Sequence, residues 1–208
     1  MVRFLVLFLA GGLLSFPGTA EPAPHPADST TAYQFDNAKS SMTVYGTSNV
    51  RDWTMDVIQI TGSVRVGAVN KRLPSIQKVR TEIPVRKLVS DKDRLQRHAH
   101  DALKKKKHPT ISFTSSNIQV ANAEADSFSV VADGDLTIAG ETRSIELTAT
   151  GTQQQDGTLV ISGDHRLKLT TYDVERPSLL FGAIKVSDPV RIGFRVVLAP
   201  SSQESATE

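Results

Sequence analysis

Alternation of apolar and polar residues, sustained over runs of nine to eleven residues, constrains this chain more than any other feature. From Phe128 to Ile138 the even positions carry Phe128, Val130, Ala132, Gly134, Leu136 and Ile138, and the odd ones include Ser129, Asp133, Asp135 and Thr137. From Leu159 to Leu169 the odd positions carry Leu159, Ile161, Gly163, His165, Leu167 and Leu169, against Asp164, Arg166 and Lys168. Val190, Ile192, Phe194, Val196 and Leu198 alternate with Arg191, Gly193 and Arg195. Ile58, Ile60, Gly62, Val64 and Val66 do the same, as do Val79, Ile83 and Val85, and Ile145, Leu147 and Ala149. Successive side chains on a strand point to opposite faces, so each run predicts a strand with one buried face. Shorter candidates are Tyr33–Asp36, Met42–Gly46 and Ile111–Val120.

Turn residues fall where the runs break. Ala139-Gly140-Glu141 predicts a tight hairpin, and Gln155-Asp156-Gly157 a second one. One stretch departs from the pattern. Residues 91–107 read as the single helix, capped by Ser90 or Asp91, with Lys104–Lys107 at its C-terminal end and Pro109 as its stop. Long antiparallel strands with one inserted helix predict an all-β protein, an antiparallel β-barrel of about eight strands, because closure removes exposed strand edges. Gly62, Gly134 and Gly163 interrupt the apolar faces, where bulges or barrel corners are expected and where a ligand could approach the backbone.

The 208 residues suit one domain. There is no cysteine, which excludes disulfides, zinc–thiolate sites, iron–sulfur clusters and lipoprotein acylation. A net charge of +2 is too weak for a dedicated nucleic-acid binder. Arg3, the apolar run Phe4–Leu14 and Gly18-x-Ala20 predict a signal peptide over residues 1–20, and hence export. The run falls short of the roughly 20 residues that a membrane-spanning helix needs. Residues 21–32, rich in proline, read as a flexible leader, 33–199 as the barrel and 200–208 as a disordered tail.

No catalytic constellation emerges: there is no His-Glu-x-x-His and no Gly-x-Ser-x-Gly. His98 and His100 are two apart on a helix and point to different sides, so they read as solvated side chains and not as a metal site. His165, on an apolar face, reads as a hydrogen-bonded core histidine. Asp133 and Asp135 should face solvent. Lys104–Lys107 reads as a solubilising helix end, with anionic lipid head groups as the alternative partner. The expectation is a protein without catalysis, metal or cofactor.

Four segments together resemble the YceI-like family of bacterial exported barrels, similar in architecture to lipocalins. They are Tyr33-Gln34-Phe35-Asp36 with Lys39–Val44, Leu103–Ser115 containing His108-Pro109-Thr110-Ile111-Ser112-Phe113, Gly134-Asp135-Leu136-Thr137-Ile138-Ala139-Gly140-Glu141-Thr142-Arg143, and Phe181–Val190. They occur in the family's order and span about residues 33 to 199. The resemblance implies an eight-stranded barrel with a long apolar cavity that in some members holds a polyisoprenoid or other long-chain amphiphile, and it favours the periplasm, with the extracellular medium as the alternative. Thr47–Trp53 departs from the family's usual pattern, so the fold carries over further than the ligand.

The expected function is an exported lipid-binding carrier; the alternative is a ligand-free structural or protein-interaction barrel of the cell envelope. Candidate cavity-lining residues are Ile58, Ile60, Val64, Ile111, Phe113, Phe128, Val130, Leu136, Ile138, Leu147, Phe181, Ile184, Ile192 and Phe194. Periodicity does not tell a hollow barrel from a filled one, nor which of these residues merely pack. Trp53, the only tryptophan, is a candidate cavity cap, with an ordinary core anchor as the competing reading. Oligomeric state, monomer or dimer, is left open.

Overall fold

The alternating runs do form strands. The computed structural model describes residues 30–70, 73–122, 127–176, 178–179 and 184–201. In chain order these contain β1 (Thr31–Phe35), β2 (Ser41–Ser48), β3 (Trp53–Val57), β4 (Thr61–Asn70), β5 (Leu73–Pro84), β6 (Leu88–Val89), α1 (Asp93–Ala102), β7 (Thr110–Asn122), β8 (Ser127–Ile138), β9 (Glu141–Gln153), β10 (Leu159–Lys168), β11 (Ser178–Leu179) and β12 (Ile184–Pro200).

Every pairing is antiparallel. β1 and β2 lie end to end along one side of β12, with Tyr33 opposite Pro200 and Met42 opposite Phe194. β3 and β4 continue one another in the same way beside β2 and β1, and β6 and β5 lie beside β3 and β4. β7, β8, β9 and β10 follow as a meander, and β10 returns to β12. The result is a closed barrel of eight staves. Closure through β12 satisfies the backbone groups that an open sheet would leave at its outer strands.

Two apolar clusters close the two ends. One holds Tyr33, Val64, Ile76, Phe128, Leu159 and Leu198. The other holds Met55, Val85, Leu88, Leu103, Ile138, Tyr172 and Val174, and α1 packs Leu95, Ala99 and Ala102 against it. Glycines face aromatic rings across the strands. Gly163 opposes Phe194 and Gly151 opposes Phe128. A Cβ on Gly163 would lie 2.9 Å from the Phe194 ring and 2.8 Å from the Thr148 carbonyl oxygen. These glycines make room for a ring and a tight strand crossing, so Gly163 is covered by Phe194 and is not a bare stretch of backbone for a ligand.

Several expectations are corrected. The helix spans Asp93–Ala102, shorter than 91–107. Its N-cap is Lys92, with no side-chain cap bond; the Ser90 hydroxyl instead accepts from the Lys92 N–H at 3.3 Å. It ends well before Pro109, because Lys104 adopts a left-handed conformation with φ 54°. The Lys104 N–H then donates to Asp101 and the Lys105 N–H to His100, the bond pair that terminates helices at a left-handed residue. His100 is buried, not solvated, and its Nε2 lies 2.9 Å from the Leu88 carbonyl oxygen. The Ile58–Val66 run is broken between β3 and β4. Asn37 causes the break: its side chain accepts from the Ile60 N–H at 2.6 Å and donates to the Ile60 carbonyl at 2.9 Å. β1 starts at Thr31, inside the expected leader, where Thr31 and Ala32 pair with Val66 and Arg65. β12 includes Pro200, and Ser201 donates to the Ala32 carbonyl. The expected signal peptide lies outside the described residues, as does the tail from residue 202. The Ala139-Gly140 hairpin forms as expected, with φ 52° and 92°.

Candidate functional site

The space between the two end clusters is a cavity of about 230 Å³. Inward positions of all eight staves line it, so it is a product of the period-two pattern carried around a closed sheet. Ten of the expected residues lie on its wall: Ile60, Val64, Ile111, Phe113, Val130, Leu136, Ile138, Leu147, Ile192 and Phe194. Phe128 does not. It is 1% exposed and belongs to the cluster that closes one end. Ile58 is 54% exposed and faces away from the cavity, because the break at Asn37 and Ile60 reverses the alternation there. Phe181 lies outside the described residues, and so does the side chain of Ile184.

The expected set missed part of the wall. Phe35, Met42 and Val44 face the cavity from β1 and β2, and Ile76, Val79 and Ile83 from β5. Phe35, Met42, Val44, Val79 and Ile83 belong to the alternating runs, whereas Ile76 does not, because a register shift between Lys78 and Ile76 changes the parity there. Two polar side chains, Thr81 on β5 and His165 on β10, are the exceptions in an otherwise apolar lining. His165 is half-buried and has no hydrogen-bond partner among the described residues, which corrects the expectation of a hydrogen-bonded core histidine. Burial holds its pKa below the ordinary histidine value, and the neighbouring Asp164 carboxylate opposes that shift.

Trp53 is partly exposed at the start of β3, directly opposite Gly46. Its indole N–H donates to the Thr47 carbonyl at 3.2 Å, and its ring packs against the cluster at the α1 end. It is not among the residues lining the cavity. Asp133 and Asp135 are exposed, held by Asn117 and Ser144. Of the basic run, Lys104 pairs with Asp173 at 2.6 Å, and Lys106 and Lys107 are exposed. No group of three or more histidine, aspartate or glutamate side chains suited to a metal ion occurs among the described residues. No helix among them is long and apolar enough to cross a membrane.

Residues 33–198 match the YceI-like domain. Among solved structures, BcnA of Burkholderia cenocepacia is similar with a TM-score of 0.61 and 20% identity, covering 78% of this chain and 98% of that one. A polyisoprenoid binding domain from Saccharophagus degradans, implicated in plant cell wall breakdown, gives a TM-score of 0.62 at 12% identity, covering 82% and 99%. The YCEI protein of Campylobacter jejuni gives 0.52 at 18%, covering 70% and 82%. No protein with a curated description matches the sequence. At these identities the structural likeness speaks for the fold alone. The match over residues 33–198 goes further, and with it the chain belongs to the YceI-like family.

Proposed function

We propose that this protein is an exported, non-catalytic carrier that sequesters the apolar chain of a polyisoprenoid or other long-chain amphiphile inside its barrel, with the periplasm as its site of action. The cavity carries this reading: about 230 Å³ of space walled by aliphatic and aromatic side chains, with Thr81 and His165 as its polar exceptions. Apolar burial stabilises a bound chain by roughly 25 cal/mol per Å² before ordering costs. The wall offers no cation to a charged group, so the interior suits hydrocarbon. Membership of the YceI-like family and the likeness to a polyisoprenoid binding domain support the same class of ligand. Export rests on the N-terminal sequence, Arg3 followed by Phe4–Leu14 and Gly18-x-Ala20.

The cavity volume also bounds the ligand. An engineered apolar cavity of roughly 150 Å³ takes one benzene, so this one accommodates on the order of ten carbons, about two isoprene units. A longer chain continues outside the barrel or moves wall side chains aside. Organic extraction of protein purified from its native source, followed by mass spectrometry, tests the reading. A long-chain molecule recovered near one per protein is expected. Recovery of none, together with failure of added prenyl chains to bind, overturns it.

A further inference from the structure

The barrel is closed, but one of its ladders is short. β9 and β10 pair from Gln153–Leu159 to Ala149–Gly163, and there the ladder stops. Both strands go on: β9 extends back to Glu141 while paired to β8, and β10 extends to Lys168 while paired to β12. Five residue pairs join these two long neighbours, whereas β8 and β9 share twelve. Residues 141–148 and 164–168 therefore border a lateral slit in the α1 half of the barrel, and the 3-10 turn Leu169–Tyr172 that follows β10 packs against both strands at the slit's α1 end. At the comparable place between β6 and β7, α1 covers the wall and His100 bonds the Leu88 carbonyl. Along the β9–β10 slit, Ile145, Leu147 and His165 face the cavity.

His165 is thus a cavity-wall residue on a strand edge that has lost its ladder, and it has no hydrogen-bond partner among the described residues. A polar group at such a place is stabilised when something hydrogen-bonds to it. We infer that the slit is where a bound amphiphile presents its polar head, and that His165 holds that head as a hydrogen-bonding partner. This rests on the carrier reading and deepens it. A neutral imidazole offers one donor and one acceptor, which matches a hydroxyl or carbonyl head. Burial favours that neutral form. A diphosphate head calls for cationic partners: the cavity lining has none, and at the slit Arg143 is paired with Glu141 at 3.2 Å while Arg166 and Lys168 alternate with His165 and so point outward. The ligand class assigned is a prenyl or similar chain with an uncharged oxygen head.

Two measurements on the full chain test this. Equilibrium binding is compared for geranylgeraniol, its hydrocarbon counterpart without the hydroxyl, and geranylgeranyl diphosphate. The alcohol is expected to bind about tenfold more tightly than the hydrocarbon, and more tightly than the diphosphate. His165→Leu is expected to erase the alcohol's advantage while hydrocarbon affinity stays within about twofold. A geranylgeranyl chain bearing a benzophenone head is then photo-crosslinked and mapped by peptide mass spectrometry. Adducts are expected in residues 141–148 and 164–168. An advantage that survives in His165→Leu, stronger binding of the diphosphate, or adducts confined to the Phe128 and Leu159 end overturns the assignment while leaving the carrier reading intact. If no prenyl compound binds the unaltered protein, both fall.

Discussion

Phe128 and Phe194 form a matched pair for testing where the barrel is solid and where it is hollow. Each stands directly opposite a glycine, Gly151 and Gly163 respectively, and each ring occupies space that a Cβ there would need. Their surroundings differ. Phe128 is 1% exposed within the end cluster, and Phe194 is half-buried on the cavity wall. Truncating a fully packed phenylalanine forfeits contacts on all sides and leaves a new void, costing about 3–5 kcal/mol. A ring that already borders empty space has fewer contacts to lose, so Phe194→Ala should cost about 1–2 kcal/mol. At this chain length a kcal/mol shifts Tm by roughly 2–4 °C. Phe128→Ala should therefore lower Tm by roughly 6–20 °C, and Phe194→Ala by only a few degrees. Thermal and urea unfolding, followed by circular dichroism on ligand-free protein, reads both. Equal losses, or a larger loss for Phe194→Ala, would refute the division into a packed end and a hollow middle.

Three other perturbations follow from the geometry. Asn37→Ala removes both bonds to the buried Ile60 backbone and should cost about 1–3 kcal/mol in urea unfolding, although Asn37 itself is exposed. His165 has a folded-state pKa below its unfolded value, so the unfolded chain binds the proton more readily. Its contribution to stability is present above the unfolded pKa and is lost as pH falls below it toward the folded value. Tm measured from pH 8 to 5 should therefore decline more steeply for the unaltered protein than for His165→Leu. Lys104→Gly relieves a left-handed residue but loses an exposed, solvent-screened ion pair with Asp173 that contributes little. It should be neutral or slightly stabilising, whereas Lys104→Ala, which keeps the strained backbone and loses the pair, should be the less stable of the two by thermal melting.

The strands and their faces were legible because period-two alternation is a local property, read correctly at Phe128–Ile138, Leu159–Leu169 and Val190–Leu198. What failed depended on partners distant in sequence. Ile58 turned outward because Asn37, more than twenty residues away, grips the backbone at Ile60. His100 reads locally as a solvated side chain because nothing near it in sequence announces the Leu88 carbonyl. The helix end is hidden in the sequence because a lysine, not a glycine, takes the left-handed position that ends it. The cavity shows the same limit. Phe113 and Phe128 carry identical patterns, yet one borders empty space and the other fills an end, since alternation gives a residue's face but not its depth along the barrel. The slit left no sequence signal, because Glu141–Thr148 and Asp164–Lys168 alternate just as fully paired strands do.

Uptake of a hydrocarbon chain by the barrel interior carries the functional reading. Titration calorimetry with prenyl alcohols of one, two, three and four isoprene units tests it most directly. Each buried methylene stabilises by about 0.8 kcal/mol before ordering costs. Affinity should therefore rise at least about tenfold from one unit to two, with a negative heat-capacity change, and rise far less once the roughly ten-carbon capacity is reached. Affinity that is independent of chain length, or a series that never binds, would contradict the account.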